Sequence, residues 1–375
     1  MEFDFASVLA RMVELRASDV HLTAGAPPVM RYRGKIAPVE GYEVLTNQAT
    51  RDVVYSILND DQRKRFENHR QLDFAYAIPG VARFRVNCYF QRGAISAAFR
   101  YVPQDIPSLE SLALPQILRD FTRKPRGFVL VTGPTGSGKS TTLASIIDVI
   151  NREREDHILT IEDPIEFLHR HHRSIVNQRE IGADAEDFAL ALKAALRQDP
   201  DVILVGEMRD LETISTALTA AETGHLVFAT LHTQSTSQTV DRIIDVFPPE
   251  QQSQVRMQLS IALQGIVTQQ LLPTADGQGR VVATEVLIPT PAIRNLIREG
   301  KTHQIYSAIQ TSGAQGMQTM DADLARLVRG NRITHALAEQ RAAVPEELRR
   351  LMGDGPAGSD YSQQTPVPAG NGTTP

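Results

Sequence analysis

The chain has 375 residues, more than one ordinary hydrophobic core accommodates, so we expect two domains followed by a tail. Its 39 Lys and Arg residues against 44 Asp and Glu residues give a formal charge of −5, which leaves no basic excess for a nucleic-acid backbone and disfavours a dedicated DNA-binding protein. With 42% hydrophobic and 22% charged residues, the composition is typical of a soluble globular protein rather than a disordered or membrane-embedded chain.

The N-terminal residues are acidic where a secretory signal peptide would be basic, and no apolar run reaches the roughly 18 residues of a membrane span. We therefore expect a cytoplasmic protein that contacts a membrane only through partners.

The first predicted element is a helix that ends before Ser18, with an apolar stripe at helical spacing formed by Phe5, Val8, Leu9, Met12 and Leu15.

A period-two alternation over residues 82–91 predicts a strand, which pairs with residues 95–101 across a turn at Arg92-Gly93. The predicted register pairs apolar residues throughout: Phe90 with Ile95, Cys88 with Ala97, Val86 with Phe99 and Phe84 with Tyr101. On the other face, this register places Arg85 directly opposite Arg100, a repulsive pair unless an anion lies nearby.

Cys88 is the only cysteine, which excludes an intramolecular disulfide and a four-thiolate zinc site.

Residues 1–105 are predicted as one domain, 106–126 as a linker, and 127–345 as a second domain of α/β class with a central sheet. The expected elements there are strands at 127–132, 158–162, 202–205 and 226–230, and helices at 187–197 and 211–223. The later part is predicted to be mostly helical, over 251–272, 292–298 and 322–329, around a β-rich patch at 281–287. From residue 346 we predict a disordered tail, because the chain beyond Gly353 has almost nothing to bury.

A phosphate-binding pattern, G-x-x-x-x-G-K-[ST], lies between the predicted strand 127–132 and a helix that starts near Lys139. Its glycines let backbone N–H groups turn toward phosphates, and the helix N-terminus adds partial positive charge. Lys139 would reach the β- and γ-phosphate oxygens, and Ser140 would offer its hydroxyl to Mg²⁺. The predicted nucleotide-binding residues are Gly133, Pro134, Thr135, Gly136, Ser137, Gly138, Lys139, Ser140 and Thr141.

Phosphoryl transfer also needs carboxylates near the metal ion and the attacking water, usually at the ends of central strands. Two predicted strands end in such acids: Glu207 follows one, and Glu162, Asp163 and Glu166 follow the other. Glu207 resembles the acid of a Walker B strand, with Glu in place of the more usual Asp, but a role as a helix cap is the alternative. For Glu162 and Asp163, a purely structural role is the alternative.

Several motifs in order resemble the secretion and pilus motor ATPases over residues 5–345, and most closely their type IV pilus retraction branch. The matching segments are 17–22 near the N-terminus, the Walker A loop 133–142, an Asp box at 159–168, Walker B at 204–209, and a His box at 223–225 with 230–233. A further segment resembles the one that marks the retraction branch: Ala292, Ile293, Arg294, Asn295, Leu296, Ile297, Arg298 and Glu299.

This resemblance implies a hexameric ring ATPase that binds ATP and Mg²⁺ at a domain junction. It implies a PAS-like N-terminal α+β domain, followed by a RecA-like P-loop ATPase domain with a helical C-terminal part. Glu166 would be the catalytic glutamate that polarises water, and Glu207 would help to hold Mg²⁺. His232 would sense the γ-phosphate and His225 would support coupling. Arg85 and Arg100 match arginines that approach the nucleotide phosphates from the N-terminal domain.

The same resemblance implies a role in pilus retraction and twitching motility. The ring would act on an inner-membrane pilus platform protein, bind no nucleic acid, and associate with the membrane peripherally through the pilus machinery. The segment 292–299 would convert ATP hydrolysis into pilus disassembly. The tetracysteine zinc element and long N-terminal extension of assembly-type relatives are absent from the sequence, which favours retraction over assembly.

Other interpretations stay open from the sequence alone. The chain could be a motor for assembly or secretion, a nucleotide-gated scaffold without turnover, or a DNA-translocating RecA-like ATPase, although its acidic balance weakens the last. Arg85 and Arg100 could be solvated surface residues, and His225 and His232 could be core residues. The histidines at 169, 171 and 172 are interpreted as part of a solvated loop rather than a metal site, because no carboxylate or thiol pattern accompanies them.

Overall fold

The computed structural model describes residues 4–32, 34–78, 82–102 and 105–353, which form two β-sheets with helices packed on them. The predicted α/β class is confirmed. The N-terminal elements are α1 Phe5–Glu14, β1 Asp19–Leu22, β2 Val29–Tyr32, β3 Lys35–Pro38, α2 Asn47–Ser56, α3 Asp60–His69, β4 Gln71–Ile78, β5 Ala82–Gln91 and β6 Ala94–Val102. These strands form a six-stranded antiparallel sheet in the order β3-β2-β1-β6-β5-β4.

The predicted first helix is confirmed as α1, which begins after the capping residue Asp4, whose carboxylate accepts a hydrogen bond from the Ser7 N–H. Three residues of its apolar stripe, Val8, Leu9 and Met12, are fully buried. Leu15 follows the helix and is exposed, because the helix ends at Glu14 and the chain turns toward β1.

Strands β5 and β6 form the predicted hairpin, and each predicted residue pair is confirmed. Arg92 and Gly93 make the turn with φ angles of 50° and 77°, as a two-residue hairpin with right-handed twist requires. The apolar face of the hairpin is buried, and Arg85 lies directly opposite Arg100 on the other face. Burial of one face fixes this register, because a shift by one residue would expose all the apolar side chains.

The second part of the chain carries the other sheet. Its elements are α4 Ile117–Thr122, β7 Gly127–Thr132, α5 Lys139–Glu153, β8 His157–Glu162, β9 Ile175–Glu180, α6 Phe188–Ala195, β10 Val202–Val205, α7 Leu211–Glu222, β11 Leu226–Leu231, α8 Thr236–Asp245, α9 Pro249–Ala262, β12 Leu263–Pro273, β13 Arg280–Leu287, α10 Pro291–Glu299, α11 Ile305–Thr311, α12 Met320–Arg329, α13 His335–Arg341 and α14 Pro345–Met352. The seven strands are ordered β13-β12-β7-β11-β10-β8-β9.

All neighbouring strands of the second sheet are parallel except β12 and β13, which are antiparallel. Side chains of β7 alternate between two cores: Val129 and Val131 pack with α5 on one face, and Phe128 and Leu130 pack with α7 and α9 on the other. Because both faces are covered by helices, the central strands are continuously apolar. The carboxyl ends of β7, β8, β10 and β11 therefore meet at one edge of the sheet, where the predicted site residues follow them.

Three predictions about the second part are wrong in detail. The predicted linker 106–126 contains α4, and its Leu109, Leu118 and Phe121 are buried against the second sheet. The predicted helix 251–272 ends at Ala262, and the chain continues directly into β12, which pairs with β7 and β13. The predicted tail begins too early, because α14 buries Leu348; residues 354–375 lie outside the described residues.

Candidate active site

The phosphate loop joins β7 to α5, as its pattern predicts. Gly133, Gly136 and Gly138 all have positive φ angles, of 139°, 79° and 90°. At Gly133 a Cβ atom would also overlap the backbone carbonyl oxygen of Gln269, so only glycine fits there. The loop is thus held in a conformation that depends on its glycines, with the N-terminus of α5 behind it.

The loop borders a cleft of about 510 Å³ between the two sheets. Six of the predicted nucleotide-binding residues line this cleft: Thr135, Gly136, Gly138, Lys139, Ser140 and Thr141. Gly133, Pro134 and Ser137 do not line the cleft; Gly133 and Ser137 are buried, and Pro134 is exposed. The Lys139 Nζ donates to the carbonyl oxygens of Gly133 at 2.9 Å and Pro134 at 3.2 Å, and burial lowers its pKa, with Glu207 opposing the shift. Its ammonium group therefore lies over the concave side of the loop, where phosphate oxygens would bind.

Two further residues were not predicted from the sequence: one supports the phosphate loop and the other lines the cleft. Gln269 of β12 is fully buried, and its Nε2 donates to the Ser137 carbonyl oxygen at 2.9 Å, so it supports the loop from below. Arg280, at the start of β13, lines the cleft as a further cation. The sequence held no signal for Gln269, because the residues before and after it were interpreted as helical, whereas only its strand pairing with β7 brings it to the loop.

Glu207 lies just beyond β10 and faces the cleft. Its carboxylate accepts hydrogen bonds from Arg209 at 2.6 Å and from the His232 Nε2 at 2.8 Å. Burial opposes ionisation of Glu207, but the hydrogen bonds and positive charges of Arg209 and His232 outweigh it and lower the pKa. A capping role is excluded, because Asp210 is the residue that caps α7, accepting from the Thr213 N–H at 2.8 Å. Glu207 is thus an ionised carboxylate in the cleft.

The three acids after β8 also line the cleft, in different environments. Glu162 accepts hydrogen bonds from Thr160 Oγ1 at 2.6 Å and Gln178 Nε2 at 3.2 Å, and burial raises its pKa more than these bonds lower it. Asp163 is exposed. Glu166 is about half exposed and has one oxygen 4.0 Å from an Arg85 nitrogen. Asp163 and Glu166 are therefore accessible to solvent in the cleft, whereas Glu162 is engaged by its neighbours.

Both hairpin arginines line the cleft opposite the phosphate loop. The Arg100 Nε donates to Asp19 Oδ1 at 2.9 Å, and Arg85 lies beside Glu166. Burial opposes ionisation of Asp19, but hydrogen bonds from Ser18 and Arg100 lower its pKa, so it carries the compensating charge. The anion that the like-charge pair requires is thus supplied by Asp19 and Glu166. Both guanidinium groups remain open to the cleft.

The two candidate histidines lie at opposite ends of β11. His232 follows the strand, lines the cleft and contacts Glu207. His225 precedes the strand, and its Nδ1 lies 3.0 Å from the Ala220 carbonyl oxygen at the end of α7. The structure therefore brings His232 into the site and leaves His225 at the opposite edge of the sheet.

The retraction-branch segment forms α10 and lies outside the cleft. Ile293 and Ile297 are fully buried. Arg294 reaches α9 and donates to the carbonyl oxygens of Ser260, Ile261 and Leu263, the last two at 2.9 and 3.1 Å. It thus binds the last carbonyl groups of that helix, which have no partner within the helix.

Among the described residues, no group of three or more possible metal ligands lies together. The solvated-loop interpretation fits His172, which is exposed. It is wrong for His169, which is partly buried, and burial lowers its pKa to about 4.

Comparison with known proteins identifies a family and several similar proteins. The family model for type II/IV secretion system proteins matches residues 108–341. The type IV pilus retraction ATPase PilT of Pseudomonas aeruginosa is 51% identical over 345 residues, covering 92% of this chain and 100% of that protein. A twitching motility protein of Neisseria gonorrhoeae is 50% identical over 340 residues, covering 89% of this chain and 91% of that protein.

A solved structure shares the whole fold. The crystal structure of the pilus retraction motor PilT with bound ADP matches with a TM-score of 0.88 and 50% identity, covering 93% of this chain and 100% of that one. Across the part of the chain that the structure describes, no helix is both long and apolar enough to cross a membrane.

Proposed function

Because the chain belongs to the type II/IV secretion system protein family, we propose that it is an ATPase motor that powers retraction of type IV pili and thereby twitching motility. One observation carries the enzymatic part: the phosphate loop, the carboxylates Glu166 and Glu207 and the arginines of the other sheet all face a single cleft. The near full-length similarity to a retraction ATPase supports the direction of the motor.

The residues of the cleft suggest a division of roles in hydrolysis. Backbone N–H groups of the loop and the Lys139 ammonium bind the phosphates, once Lys139 exchanges the carbonyl oxygens of Gly133 and Pro134 for phosphate oxygens. Glu166 orients and deprotonates the attacking water, for which its half-exposed carboxylate is suited. His232 contacts the γ-phosphate while it holds Glu207 in place.

The oxygen donors of the cleft fit a magnesium ion. Ser140 and Glu207 line the same cleft, and a hydroxyl with an ionised carboxylate is the donor set that Mg²⁺ prefers beside phosphates. When bound there, the ion supplies positive charge that stabilises the phosphate oxygens. The hydrogen bonds from Arg209 and His232 orient the Glu207 carboxylate for this task.

The arginine pair explains how nucleotide binding would move the domains. Arg85 and Arg100 face each other on the hairpin, and a triphosphate supplies more negative charge than Asp19 and Glu166 offer them. A bound triphosphate therefore draws the N-terminal sheet against the ATPase sheet, and loss of the γ-phosphate releases it. Repetition of this cycle is the mechanical step of the motor.

The wider assembly extends this proposal. We place a PAS-like domain at residues 1–105 and a RecA-like ATPase domain with a helical C-terminal part at 127–345. Six copies would form a ring in the cytoplasm that acts on an inner-membrane pilus platform protein. The α10 segment would transmit hydrolysis to pilus disassembly, and His225, distant from the cleft, would support coupling through α7 rather than touch nucleotide.

A genetic experiment tests the direction of the motor. In cells with the gene deleted, we expect more surface pili by electron microscopy and no twitching, with rescue by the wild-type gene but not by Glu166→Gln. The purified wild type should show steady-state ATPase activity that Lys139→Ala abolishes, and this pair of results would eliminate the scaffold alternative. Bald cells after deletion would instead identify an assembly motor.

A further inference from the structure

The loop that carries Glu166 is held from one side by β9, the edge strand of the second sheet. Gln178 of β9 makes three contacts with this loop. Its Nε2 donates to the Phe167 carbonyl oxygen at 2.8 Å and to Glu162 Oε1 at 3.2 Å, and its Oε1 accepts from the His169 N–H at 2.8 Å. These contacts connect the edge strand to the loop.

Glu180, two residues further along β9, holds the same loop nearer to Glu166. Its Oε2 accepts from the N–H of Ile165, the residue immediately before Glu166, at 3.1 Å. The same oxygen accepts from an Arg83 guanidinium nitrogen at 2.7 Å. The Glu180 side chain is only 6% exposed, so this ion pair is shielded from solvent and each partner depends on the other.

Arg83 belongs to the other sheet. It lies on β5, two residues before Arg85, and alternate residues of a strand share one face. Strand β5 therefore reaches the catalytic loop by two routes: Arg85 lies beside the Glu166 carboxylate at 4.0 Å, and Arg83 contacts the Ile165 backbone through Glu180. The second route does not involve the nucleotide-facing side of the cleft.

We propose that Glu180 is a positioning residue that couples the location of the N-terminal sheet, through Arg83, to the orientation of Glu166. The inference rests on the proposed catalytic role of Glu166. When β5 is in place, the shared carboxylate oxygen fixes the Ile165 backbone and with it the direction of the next side chain. When β5 withdraws, Glu180 loses its cation and its hold on the Ile165 N–H weakens, although the Gln178 contacts remain, so hydrolysis is fastest in the closed arrangement.

The test compares steady-state ATPase kinetics of the full-length wild type with Arg83→Met, Glu180→Ala and the double variant. Each single variant should lower kcat about tenfold with KM for ATP within about twofold, because the water-orienting acid is misplaced while the phosphate loop is intact. The double variant should be no slower than the slower single variant, because both changes break one connection. Arg83→Lys should recover part of the lost rate.

Arg65→Met is the matched control. Arg65 also joins the two parts of the chain, through the Gly182 carbonyl oxygen at 3.2 Å, but it makes no contact with Glu180. Its kcat should stay within about twofold of wild type. Three results would each overturn the inference. They are a wild-type kcat in Arg83→Met, a KM for ATP in a single variant that rises as much as its kcat falls, and a kcat loss in the double variant equal to the product of the two single losses. If Glu180→Ala fails to fold, Arg83→Met and Arg83→Lys still test the inference, because Arg83 lies between the two sheets.

Glu166→Gln, assayed beside these variants, separates the two ideas. An inactive Glu166→Gln with a fully active Arg83→Met overturns the coupling route alone. Retained activity in Glu166→Gln overturns both the assigned role of Glu166 and the positioning role of Glu180.

Discussion

His169, whose ring nitrogen Nδ1 is buried, gives the stability of the chain a pH dependence. His169 is enclosed behind the phosphate loop, its Nδ1 has no hydrogen-bond partner, and burial lowers its pKa to about 4, although Asp148 acts in the opposite direction. The unfolded chain binds a proton at His169 near pH 6.5, whereas the folded chain does not until about pH 4. The neutral imidazole therefore stabilises the fold above pH 6.5, and this stability is lost as the pH falls toward 4.

His169→Gln should remove this dependence. The Tm of the wild type should fall more steeply than that of the variant between pH 6.5 and 4, by an amount corresponding to at most about 3 kcal/mol of unfolding free energy. Thermal denaturation followed by circular dichroism across this range measures the difference. His172→Gln, which alters an exposed histidine of the same segment, is the control and should follow the wild type. Parallel curves for wild type and His169→Gln would contradict the prediction.

At the scale of elements, the junction between α9 and β12 depends on a side chain from α10. Helix α9 ends at Ala262 and β12 begins at the next residue, so the final carbonyl groups of the helix need partners from elsewhere. Arg294 provides them, and its guanidinium group is partly buried at the junction. Helix α10 therefore stabilises the fold around it through Arg294.

Arg294→Ala should destabilise the protein by about 1–3 kcal/mol, because it leaves polar groups without charge-assisted hydrogen bonds. A lower Tm in differential scanning calorimetry would show this effect. Arg298→Ala is the matched control, since Arg298 lies on the same helix but is exposed, with one contact to Asn295 at 3.4 Å. Equal Tm values for the two variants would argue that Arg294 has no such role. If Arg294→Ala keeps the wild-type Tm but loses retraction, Arg294 acts in coupling hydrolysis to retraction and not in stability.

At the scale of the whole molecule, the two sheets form one catalytic cleft only when they lie together. The phosphate loop belongs to one sheet and Arg85 and Arg100 to the other, so the nucleotide would be enclosed by groups that can separate. Interactions made only in the closed arrangement contribute to the transition state more than to initial binding.

Arg85→Ala and Arg100→Ala should therefore lower kcat at least about tenfold while the Kd for ATP changes by less than about threefold. Steady-state ATPase assays and equilibrium binding of a nucleotide measure the two quantities. Arg31→Ala is a suitable control, because Arg31 lies 3.7 Å from the same Asp19 as Arg100 but does not line the cleft. Equal losses in kcat and in affinity for ATP would instead mean that the arginines bind the nucleotide equally well in the ground state and in the transition state.

The local patterns of the sequence determined much of the fold and the phosphate loop, whereas the assignment of Glu166, His232, Arg85 and Arg100 to the nucleotide came from the family resemblance. The hairpin register followed from period two and one buried face, and the phosphate loop followed from a glycine pattern, because its positive φ angles are ones that other residues rarely adopt. Acids were assigned to the cleft because parallel strands bring their carboxyl ends to one edge. In each case the decisive information lies within a few residues, so the sequence alone suffices.

Tertiary structure decided what depends on distant partners. Residues 263–272 form a strand because β7 and β13 offer hydrogen bonds on both sides, and Gly265 has no Cβ where the Phe121 ring packs. The same pairing brings Gln269 to the phosphate loop. Arg83 and Glu180 are 97 residues apart, and no local pattern reveals their ion pair. Burial likewise made His169 neutral. These features arise from packing between separate segments, which periodicity and motif spacing do not encode.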